Sequence, residues 1–422
     1  MIHKITRILL VAVCLSFYLL SGQNITISEL NYNDEGSIDS GDWLELYNYG
    51  TSSLDISGYE IKDGVFSNSY FIPGGTILAS GQRKIIARDP VLFNTVYPSI
   101  SGVLGPMSFG FDNITDQINL RNAQGQALLS FIYLDSLPWP RGADGTGRTL
   151  ELLDPLAPLT DPANWFDGCI GGSPGTAYSP CNDPIVFSEI MYNVNPVLPT
   201  ENWVELHNTT SSAINLSGWI FRDGRDTITN QYIIPAGTII PANGYLVLSQ
   251  LLSAFLSIFP SITNVLGDFT FNLDNNGEQI RLFDQNGTVR MTVIYDDLES
   301  YGWPLLSDGQ GYSLELLDAN GKMNEGSNWF AGCFGGSPGL AYNADCCDSP
   351  LAPTSASIMG SNTACNDGLA TYSTTGPDYL IYQWSLTPAN SGSILSGQGT
   401  QSIEVNWNTT GAGQVLLNVS MP

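Results

Sequence analysis

The stretch "ITISELNYN", Ile25 to Asn33, decides the fold, because it returns as "IVFSEIMYN", Ile185 to Asn193, 160 residues later in the chain. In the first stretch Ile25 and Ile27 alternate with polar residues, as apolar residues do in a strand that buries one face. The same offset relates "DWLELYN", which begins at Asp42, to "NWVELHN", which begins at Asn202. A period of this length lies far above the roughly 20 to 50 residues of solenoid repeats. The sequence therefore predicts two tandem domains.

The repeat continues to the end of each copy. The motif "TLELLDP", which begins at Thr149, returns as "SLELLDA", which begins at Ser313. A final motif, "NWFDGCIGGSPG" over 164–175, returns as "NWFAGCFGGSPG" over 328–339 with ten of its twelve positions identical. We call these two segments the clasps. The predicted divisions are a signal peptide over 1–22, a first domain over 23–183, a second domain over 184–347 and a smaller third unit over 348–422.

Short alternating runs between clusters of Gly, Asn, Asp and Pro predict many antiparallel strands, and hence an all-β sandwich or barrel in each copy. One segment per copy departs from this pattern. "DPVLFNTVYP", from Asp89, and "SQLLSAFLSIFP", from Ser249, carry apolar residues at helical spacing, so each predicts one short helix. In the third unit, Trp384 in a strand pattern is typical of the core of a small immunoglobulin-like sandwich. Only about five or six strands fit before Pro422, so we expect this unit to be incomplete.

The 422-residue chain is acidic, with 40 Asp and Glu against 14 Lys and Arg and a formal charge of −26. Such a surface repels nucleic-acid phosphates and anionic lipid headgroups, so we expect no nucleic acid among the partners. Only 13% of the residues are charged, while 44 are glycine and 24 are proline. This composition favours a turn-rich β protein over a helical one.

Residues 1–22 have the features of a secretory signal peptide, because Lys4 and Arg7 precede an apolar run from Ile8 to Leu20. The alternative is a membrane anchor, but the run is shorter than the roughly 20 apolar residues that a spanning helix needs. We therefore expect a secreted or cell-surface protein with no membrane span after signal cleavage.

Six cysteines follow the signal peptide, and an even number in an exported chain favours disulfides over metal or redox chemistry. Their spacing predicts that each copy closes its own tail around its clasp and that a third pair ties the linker to the third unit. The predicted pairs are Cys169–Cys181, Cys333–Cys346 and Cys347–Cys365. The choice between the adjacent Cys346 and Cys347 stays open.

The motifs "SELNYN", "DWLELYN", "FIPGGTILASGQ" and "TLELLDP" and the clasp, in this order and in both copies, resemble the bacterial lamin tail domain. The third unit resembles PKD-like modules through "YQWSL" and "SGQGTQSIEVNW". The resemblance implies two tandem immunoglobulin-like β-sandwiches followed by a smaller PKD-like sandwich. It also implies interaction modules, since exported bacterial versions sit beside hydrolases or adhesion modules without being the catalytic part.

Carboxylates are the first candidates for chemistry. Glu29 with Glu45, and Glu189 with Glu205, recur at equivalent positions, and paired carboxylates could act as acid and base on a glycoside. Polar strand faces and edge protection explain such residues equally well. His207 has no partner in the sequence that catalysis would need. We predict no catalytic residue.

The clasp serines, Ser173 and Ser337, sit in "GGSPG", which matches the letters of a nucleophile elbow. The proline after each serine cannot donate the backbone N–H that an oxyanion hole would need there, so we interpret the match as fortuitous.

Calcium is the one metal that the sequence leaves open, and we otherwise predict no cofactor. The loop "NDEGSIDSGDW" supplies hard oxygen ligands of the kind that calcium prefers. These acids are Asp34, Glu35, Asp39 and Asp42. The loop lacks EF-hand spacing, and its counterpart in the second copy, "VNPVLPTENW", is nearly free of acids.

Two tryptophans, Trp139 and Trp303, lie in loops flanked by proline and glycine. Flat aromatic faces often bind proteins or sugars, so these two are the candidates for partner contact. The alternative is that they fold back over the ends of the sandwiches. Trp43 and Trp203 lie in strand patterns and are predicted core residues.

From these features we predict a non-catalytic secreted or cell-surface adhesion protein. Its partner would be a protein or a glycan at the cell surface or in the extracellular matrix. The alternative is an accessory region of an extracellular nuclease, phosphatase or protease whose catalytic domain lies outside this sequence.

Overall fold

Antiparallel strands joined by tight turns build the described chain, which confirms the prediction of an all-β protein. The computed structural model describes residues 24–225, 229–341, 356–363, 368–377, 380–408 and 413–420. The predicted signal peptide lies outside these ranges, as do Cys346, Cys347 and Cys365. In the ranges that are described, no helix is both long enough and apolar enough to cross a membrane.

The first copy folds as a sandwich of two antiparallel sheets. Its strands are β1 (Ile25–Asn31), β2 (Trp43–Asn48), β3 (Leu54–Asp55), β4 (Glu60–Lys62), β5 (Tyr70–Phe71), β6 (Ile77–Leu78), β7 (Arg83–Ala87), β8 (Thr115–Arg121), β9 (Ala127–Leu134), β10 (Arg148–Leu152) and β11 (Trp165–Ile170). The large sheet has the order β11-β10-β1-β2-β7 and the second sheet the order β5-β4-β8-β9, while β3 and β6 form a small pair.

The second copy repeats this topology. Its strands are β12 (Ile185–Met191), β13 (Trp203–Asn208), β14 (Ile214–Asn215), β15 (Ile220–Arg222), β16 (Gln231–Ile233), β17 (Ile239–Ile240), β18 (Tyr245–Ser249), β19 (Val265–Leu266), β20 (Gly277–Phe283), β21 (Val289–Asp296), β22 (Tyr312–Leu316) and β23 (Trp329–Phe334). The large sheet has the order β19-β18-β13-β12-β22-β23 and the second sheet the order β16-β15-β20-β21.

Each copy contains the one short helix that the sequence predicts, α1 (Pro90–Val96) and α2 (Leu252–Ile258). Helix α1 begins where the Asp89 side chain accepts hydrogen bonds from two backbone N–H groups and proline takes the first helical position. Each helix presents one phenylalanine edge-on to a strand tryptophan, with ring centroids 5.4 Å apart for Trp43 and 5.6 Å apart for Trp203. Both tryptophans are buried, as predicted.

The third unit is a smaller sandwich. Its strands are β24 (Met359–Gly360), β25 (Gly368–Ser373), β26 (Ile381–Thr387), β27 (Gly392–Ser396), β28 (Ser402–Trp407) and β29 (Gln414–Ser420). One sheet has the order β24-β25-β28-β27, and β26 pairs with β29 in the other. Trp384 lies buried between them in the core cluster, as predicted.

Candidate functional site

Three glutamates form a row across the large sheet of each copy. The first row is Glu29, Glu45 and Glu151, and the second row is Glu189, Glu205 and Glu315. Glu29 and Glu189 lie on the central strands β1 and β12. Each is directly opposite the other two glutamates of its row, which lie on the two neighbouring strands. A bulge between Ile27 and Glu29 leaves the isoleucine in the core and places the glutamate on the other face. The structure thus brings together the pairs that the sequence singled out and adds a third glutamate to each.

All six of these carboxyl side chains are buried, with residue exposures of at most 3%. Burial disfavours the charged form, and neighbouring like charges disfavour it further. Burial raises the pKa of Glu151 and of Glu315 to about 7 and that of Glu205 to about 8. Burial and the adjacent glutamates hold the pKa of Glu29 and of Glu189 well above the ordinary range. Each row therefore holds protons near neutral pH.

The clasp of the first copy caps the first row with backbone N–H groups. The Ser173 N–H donates to Glu29 at 2.9 Å, and the Gly175 N–H donates to Glu45 at 2.6 Å. The Ser173 hydroxyl donates to Glu151 at 2.7 Å. One turn of the clasp therefore donates to all three carboxyls, although Glu29 and Glu151 each keep one buried oxygen without a partner. The serine that matched a nucleophile elbow is part of this cap.

The second clasp repeats the arrangement on the second row. The Ser337 N–H donates to Glu189 at 2.9 Å, and the Gly339 N–H donates to Glu205 at 2.5 Å. The repetition of the motif in the sequence thus has a physical reason, because the clasp and the glutamates form one unit in each copy.

The two rows differ in whether a cation accompanies them. In the first copy, the Arg83 guanidinium donates to Glu45 at 2.6 Å and lies over the ring of Tyr47, 4.2 Å from its centroid. In the second copy, Tyr245 and His207 take these two positions, paired in the same register, and their rings stack 4.4 Å apart. Within the described part of the chain, no Lys or Arg forms an ion pair with the second row.

A cleft of about 300 Å³ opens over the second row and is lined by all three of its glutamates together with His207 and Tyr245. The equivalent cleft of the first copy is smaller, about 180 Å³, and Arg83 forms part of its wall. Burial lowers the pKa of His207, which favours its uncharged form.

The predicted disulfide of the first copy is present, since Cys169 and Cys181 are bonded across a sequence separation of 12. Cys333 is disulfide-bonded as well. Its predicted partner Cys346, and the predicted pair of Cys347 with Cys365, lie outside the described residues.

The structure places both loop tryptophans as the sequence alternative described them, folded back over the sandwich ends, and does not support them as residues of partner contact. Trp139 is 4% exposed and Trp303 is 3% exposed, so neither presents a flat face to solvent. Each ring packs against the tryptophan of its own clasp, Trp165 at 6.1 Å and Trp329 at 6.3 Å between centroids. Removing the apolar surface of an indole ring from water is favourable, and both loops fold back over the sandwich ends to bury their tryptophans. Both indoles also line one cleft between the two copies.

The four acids proposed as calcium ligands bind separate protein groups. Asp34 accepts from Ser40 and Asn31, and Asp42 accepts from the Phe111 N–H at 2.8 Å. Glu35 caps a short 3₁₀ turn, and Asp39 accepts from the Gly41 N–H. Over the described residues, no group of three or more His, Cys, Asp or Glu side chains has an arrangement that could hold a metal ion.

Comparison with protein families matches residues 21–135 and 179–297 to the Lamin Tail Domain, which together make up more than half of the chain. The chain belongs to the lamin tail domain family. A PKD-like domain matches residues 351–420, in agreement with the resemblance of the third unit. The third glutamate of each row and both clasps lie outside the matched spans.

A solved structure described as "Biofilm associated protein - BSP domain" is similar to this chain at 10% identity and a TM-score of 0.15, over 94% of this chain and 78% of that one. At that TM-score the likeness carries no argument. No curated protein matches the chain.

The two lamin tail domains contact each other through a buried arginine. Arg148, on β10 of the first domain, is 2% exposed. Its guanidinium donates to the Gly168 carbonyl oxygen at 2.7 Å within its own domain and to the Thr292 carbonyl oxygen of β21 at 3.3 Å. A buried charge must be compensated, and here two carbonyl oxygens and the carboxyl of Asp167 surround it.

Further polar contacts surround this arginine. Arg141 pairs with Asp296 at 2.6 Å, and Asn324 donates to Asp167 across the same interface. As a result, Thr292 on the outer face of β21 is fully buried, whereas the equivalent Ser130 on β9 of the first domain is exposed.

The sequence reasoning missed Glu151, Glu315 and the interface residues. The two glutamates were visible as the shared "LEL" of a repeated motif. The signal for the interface was a difference between the copies, because Arg148 and Asp167 stand where the second copy has Tyr312 and Ala331.

Proposed function

We propose that this chain is a non-catalytic, exported adhesion-type protein in which the two lamin tail domains act as one rigid unit and the PKD-like unit follows as a further module. Its partner would be a protein or a glycan at the cell surface or in the extracellular matrix. The module types support the proposal, since lamin tail and PKD-like domains are non-catalytic kinds of domain. Export rests on the features of residues 1–22 and is supported by the Cys169–Cys181 disulfide.

The observation that carries the proposal is the interface between the two lamin tail domains. Two domains joined only by a flexible linker would not bury a charged side chain between them, because an unpaired buried charge is strongly unfavourable. Arg148 is buried and donates to both domains, and the Arg141–Asp296 pair accompanies it. A fixed relative orientation suits a scaffold that holds binding surfaces at a set spacing.

The glutamate rows support the absence of catalysis. In each copy the clasp donates backbone N–H groups to the carboxyls that could otherwise serve as acid and base. A catalytic acid or base must exchange its proton with the substrate, so carboxyls that already accept backbone N–H groups of their own chain are poorly suited to proton transfer.

The test applies the purified full chain to arrays of extracellular proteins and glycans, and in parallel to phosphodiester, phosphomonoester, peptide and glycoside substrates. We expect saturable binding to at least one class of array ligand and no turnover of any substrate. Turnover by the chain that disappears in Glu189→Gln but persists in the surface variant Glu299→Gln would overturn the proposal. Binding to none of the array ligands would also count against it.

A further inference from the structure

The second glutamate row lacks the positive charge that the first row has, while its clasp donates to Glu189 and Glu205 as the first clasp does to Glu29 and Glu45. We propose that the cleft over Glu189, Glu205 and Glu315 binds the guanidinium group of an arginine side chain on a partner protein. This inference goes beyond the proposed adhesive role, because it concerns a defined ligand group that can be measured on the purified chain whatever surface the chain adheres to.

The first copy supplies the template for the bound state. There, the Arg83 guanidinium reaches a carboxylate oxygen of Glu45 at 2.6 Å while only 15% of its side chain remains exposed. The site therefore accommodates a guanidinium at hydrogen-bond distance from the row when the chain provides one. In the second copy the chain provides Tyr245 at that position, and the cleft above the row is open.

Unpartnered carboxyl oxygens line this cleft. One oxygen of Glu189 and one of Glu315 are buried and have no hydrogen-bond partner, as is true of their counterparts Glu29 and Glu151 in the first row. Both residues are at least nine-tenths buried, at 1% and 3% exposure. In the first row Arg83 leaves those oxygens without a partner and donates to Glu45 instead, so the acceptor for a bound guanidinium in the second row is Glu205, the counterpart of Glu45.

The walls of the cleft fit the remainder of an arginine side chain. Leu316, Leu317 and Leu340 provide apolar surface for its methylene stem. The stacked rings of His207 and Tyr245 provide an aromatic face, as Tyr47 does for Arg83 in the first copy. The formal charge of −26 on the whole chain would draw a basic partner toward the cleft.

Guanidinium fits this site better than other cations. A planar fork of N–H donors can bond two adjacent carboxyls at once, whereas an ammonium group acts as a point charge. A metal ion would need several carboxylates that converge, and the described residues hold no such group.

The experiment titrates the full chain with arginine blocked at both termini and follows binding by isothermal titration calorimetry at about pH 9, where the Glu205 carboxyl, whose pKa burial raises to about 8, is ionised. Two probes serve as matched controls: blocked citrulline, which has the same shape without the charge, and blocked lysine. We expect saturable binding of the arginine probe at one site per chain, weaker binding of the lysine probe and no binding of the citrulline probe.

Two variants that keep the fold locate the site. Tyr245→Arg gives the second copy the cation that the first copy already has. The melting temperature of the variant should therefore be at least that of the wild type, and the variant should bind none of the three probes. Arg83→Ala removes the cation from the first row and leaves that row free to bind the arginine probe. The number of arginine probes bound per chain should therefore rise from one to two. Glu299→Gln, on the surface away from the row, should leave binding unchanged.

Three outcomes would overturn the proposal. They are no saturable binding of the arginine probe, citrulline or lysine binding as tight as arginine, and unchanged binding by a folded Tyr245→Arg variant. Because none of these measurements involves adhesion or turnover, their failure leaves the proposed adhesive function to its own test.

Discussion

Gly172 and Gly336 hold the turns of the two clasps directly above the glutamate rows. Both lie in the left-handed region, at φ +66° and +84°, which side chains other than glycine rarely adopt. A Cβ on Gly172 would lie 2.2 Å from an oxygen of Glu29, and one on Gly336 would lie 2.2 Å from an oxygen of Glu189. Each position therefore requires glycine for two reasons. The backbone conformation is left-handed, and the nearby carboxyl leaves no room for a Cβ atom.

We predict that Gly172→Ala destabilises the chain well beyond the neighbouring Gly171→Ala. Gly171 has an equally positive φ of +82°, but a Cβ there meets nothing within 4 Å. Gly171→Ala should therefore cost only the backbone term of about 1 kcal/mol, and Gly172→Ala should cost at least about 2 kcal/mol more, because the clasp must move off the row. Urea unfolding of both variants measures the loss in free energy of unfolding. Equal losses in the two variants would show that the clasp backbone is not in close contact with Glu29.

The raised carboxyl pKa values make the stability depend on pH in a definite direction. The folded chain holds protons on Glu151, Glu205 and Glu315 up to a pKa of about 7 to 8, whereas the unfolded chain releases them near 4.5. Their contribution is therefore fully present below about pH 4.5 and is lost as the pH rises through 7 to 8. We expect the free energy of unfolding to fall between about pH 4.5 and the folded pKa values, by up to about 1.4 kcal/mol per pH unit for each such group, and to level off above them.

Glu205→Gln should make this decline shallower, since an amide keeps the neutral form at every pH, while Glu299→Gln should leave the slope unchanged. Urea unfolding at pH 5, 6, 7 and 8 measures the slope. A wild-type stability that rises from pH 5 to pH 8 would contradict the assignment of neutral buried carboxyls.

At the scale of elements, the clasp of the first copy consists of the edge strand β11 and the turn after it, and a disulfide fixes it. The bond between Cys169 and Cys181 closes a loop with a sequence separation of 12 around the turn that caps the first row. The clasp therefore ties the chain end to the three strands that carry the glutamates.

We predict that Cys169→Ser combined with Cys181→Ser lowers the free energy of unfolding by about 3 kcal/mol, the value expected for a loop of this size in the chain-entropy model. Urea unfolding measures the loss, and a non-reducing peptide map should recover the linked pair from the wild type. Free thiols at both positions, or a double variant as stable as the wild type, would count against a structural role.

The elements also show how far sequence reasoning reaches. The repeat, the alternation of apolar residues and the helical spacing before proline predicted the strands, both helices and the burial of Trp43 and Trp203. These features are local. The loop tryptophans were predicted less well, because their neighbours in sequence are loop residues, whereas the partners that bury them, Trp165 and Trp329, lie about 26 residues away.

The candidate site was predicted in part for the same reason. Glu29 and Glu45 were paired by their recurrence, but their function as acceptors for the clasp depends on a register across three strands and on a turn more than a hundred residues later. The periodicity of apolar residues along the sequence does not indicate a contact between residues so far apart in the chain. The repetition of the clasp signalled that it was needed, without showing what it touches.

At the scale of the whole molecule, the copies are similar in fold and differ where they meet. On the outer face of β21, Thr292 and Asp296 are buried because the first domain covers them, while the equivalent Ser130 on β9 is exposed and Leu134 is half-buried. Arg148 and Asp167 occupy this contact, and the second copy has Tyr312 and Ala331 at the equivalent positions.

We predict that the double variant Arg148→Tyr with Asp167→Ala separates the two domains without unfolding either. The substitutions copy what the second domain already tolerates, so each sandwich should keep its core, while the contacts to Thr292 and Asn324 are lost. Differential scanning calorimetry should then show two unfolding transitions where the wild type shows one. A single transition in both proteins would indicate that these residues do not couple the domains.

The most direct test of the rigid tandem is the distance between two spin labels, one on each domain, placed by a genetically encoded amino acid at the exposed and equivalent positions Ser80 and Ala242. Pulsed dipolar spectroscopy of the wild-type background should give one narrow distance distribution. The Arg148→Tyr with Asp167→Ala background should give a broad one. A broad distribution in the wild type, or an equally narrow one in the variant, would contradict the claim that the buried arginine interface holds the two lamin tail domains as a single unit.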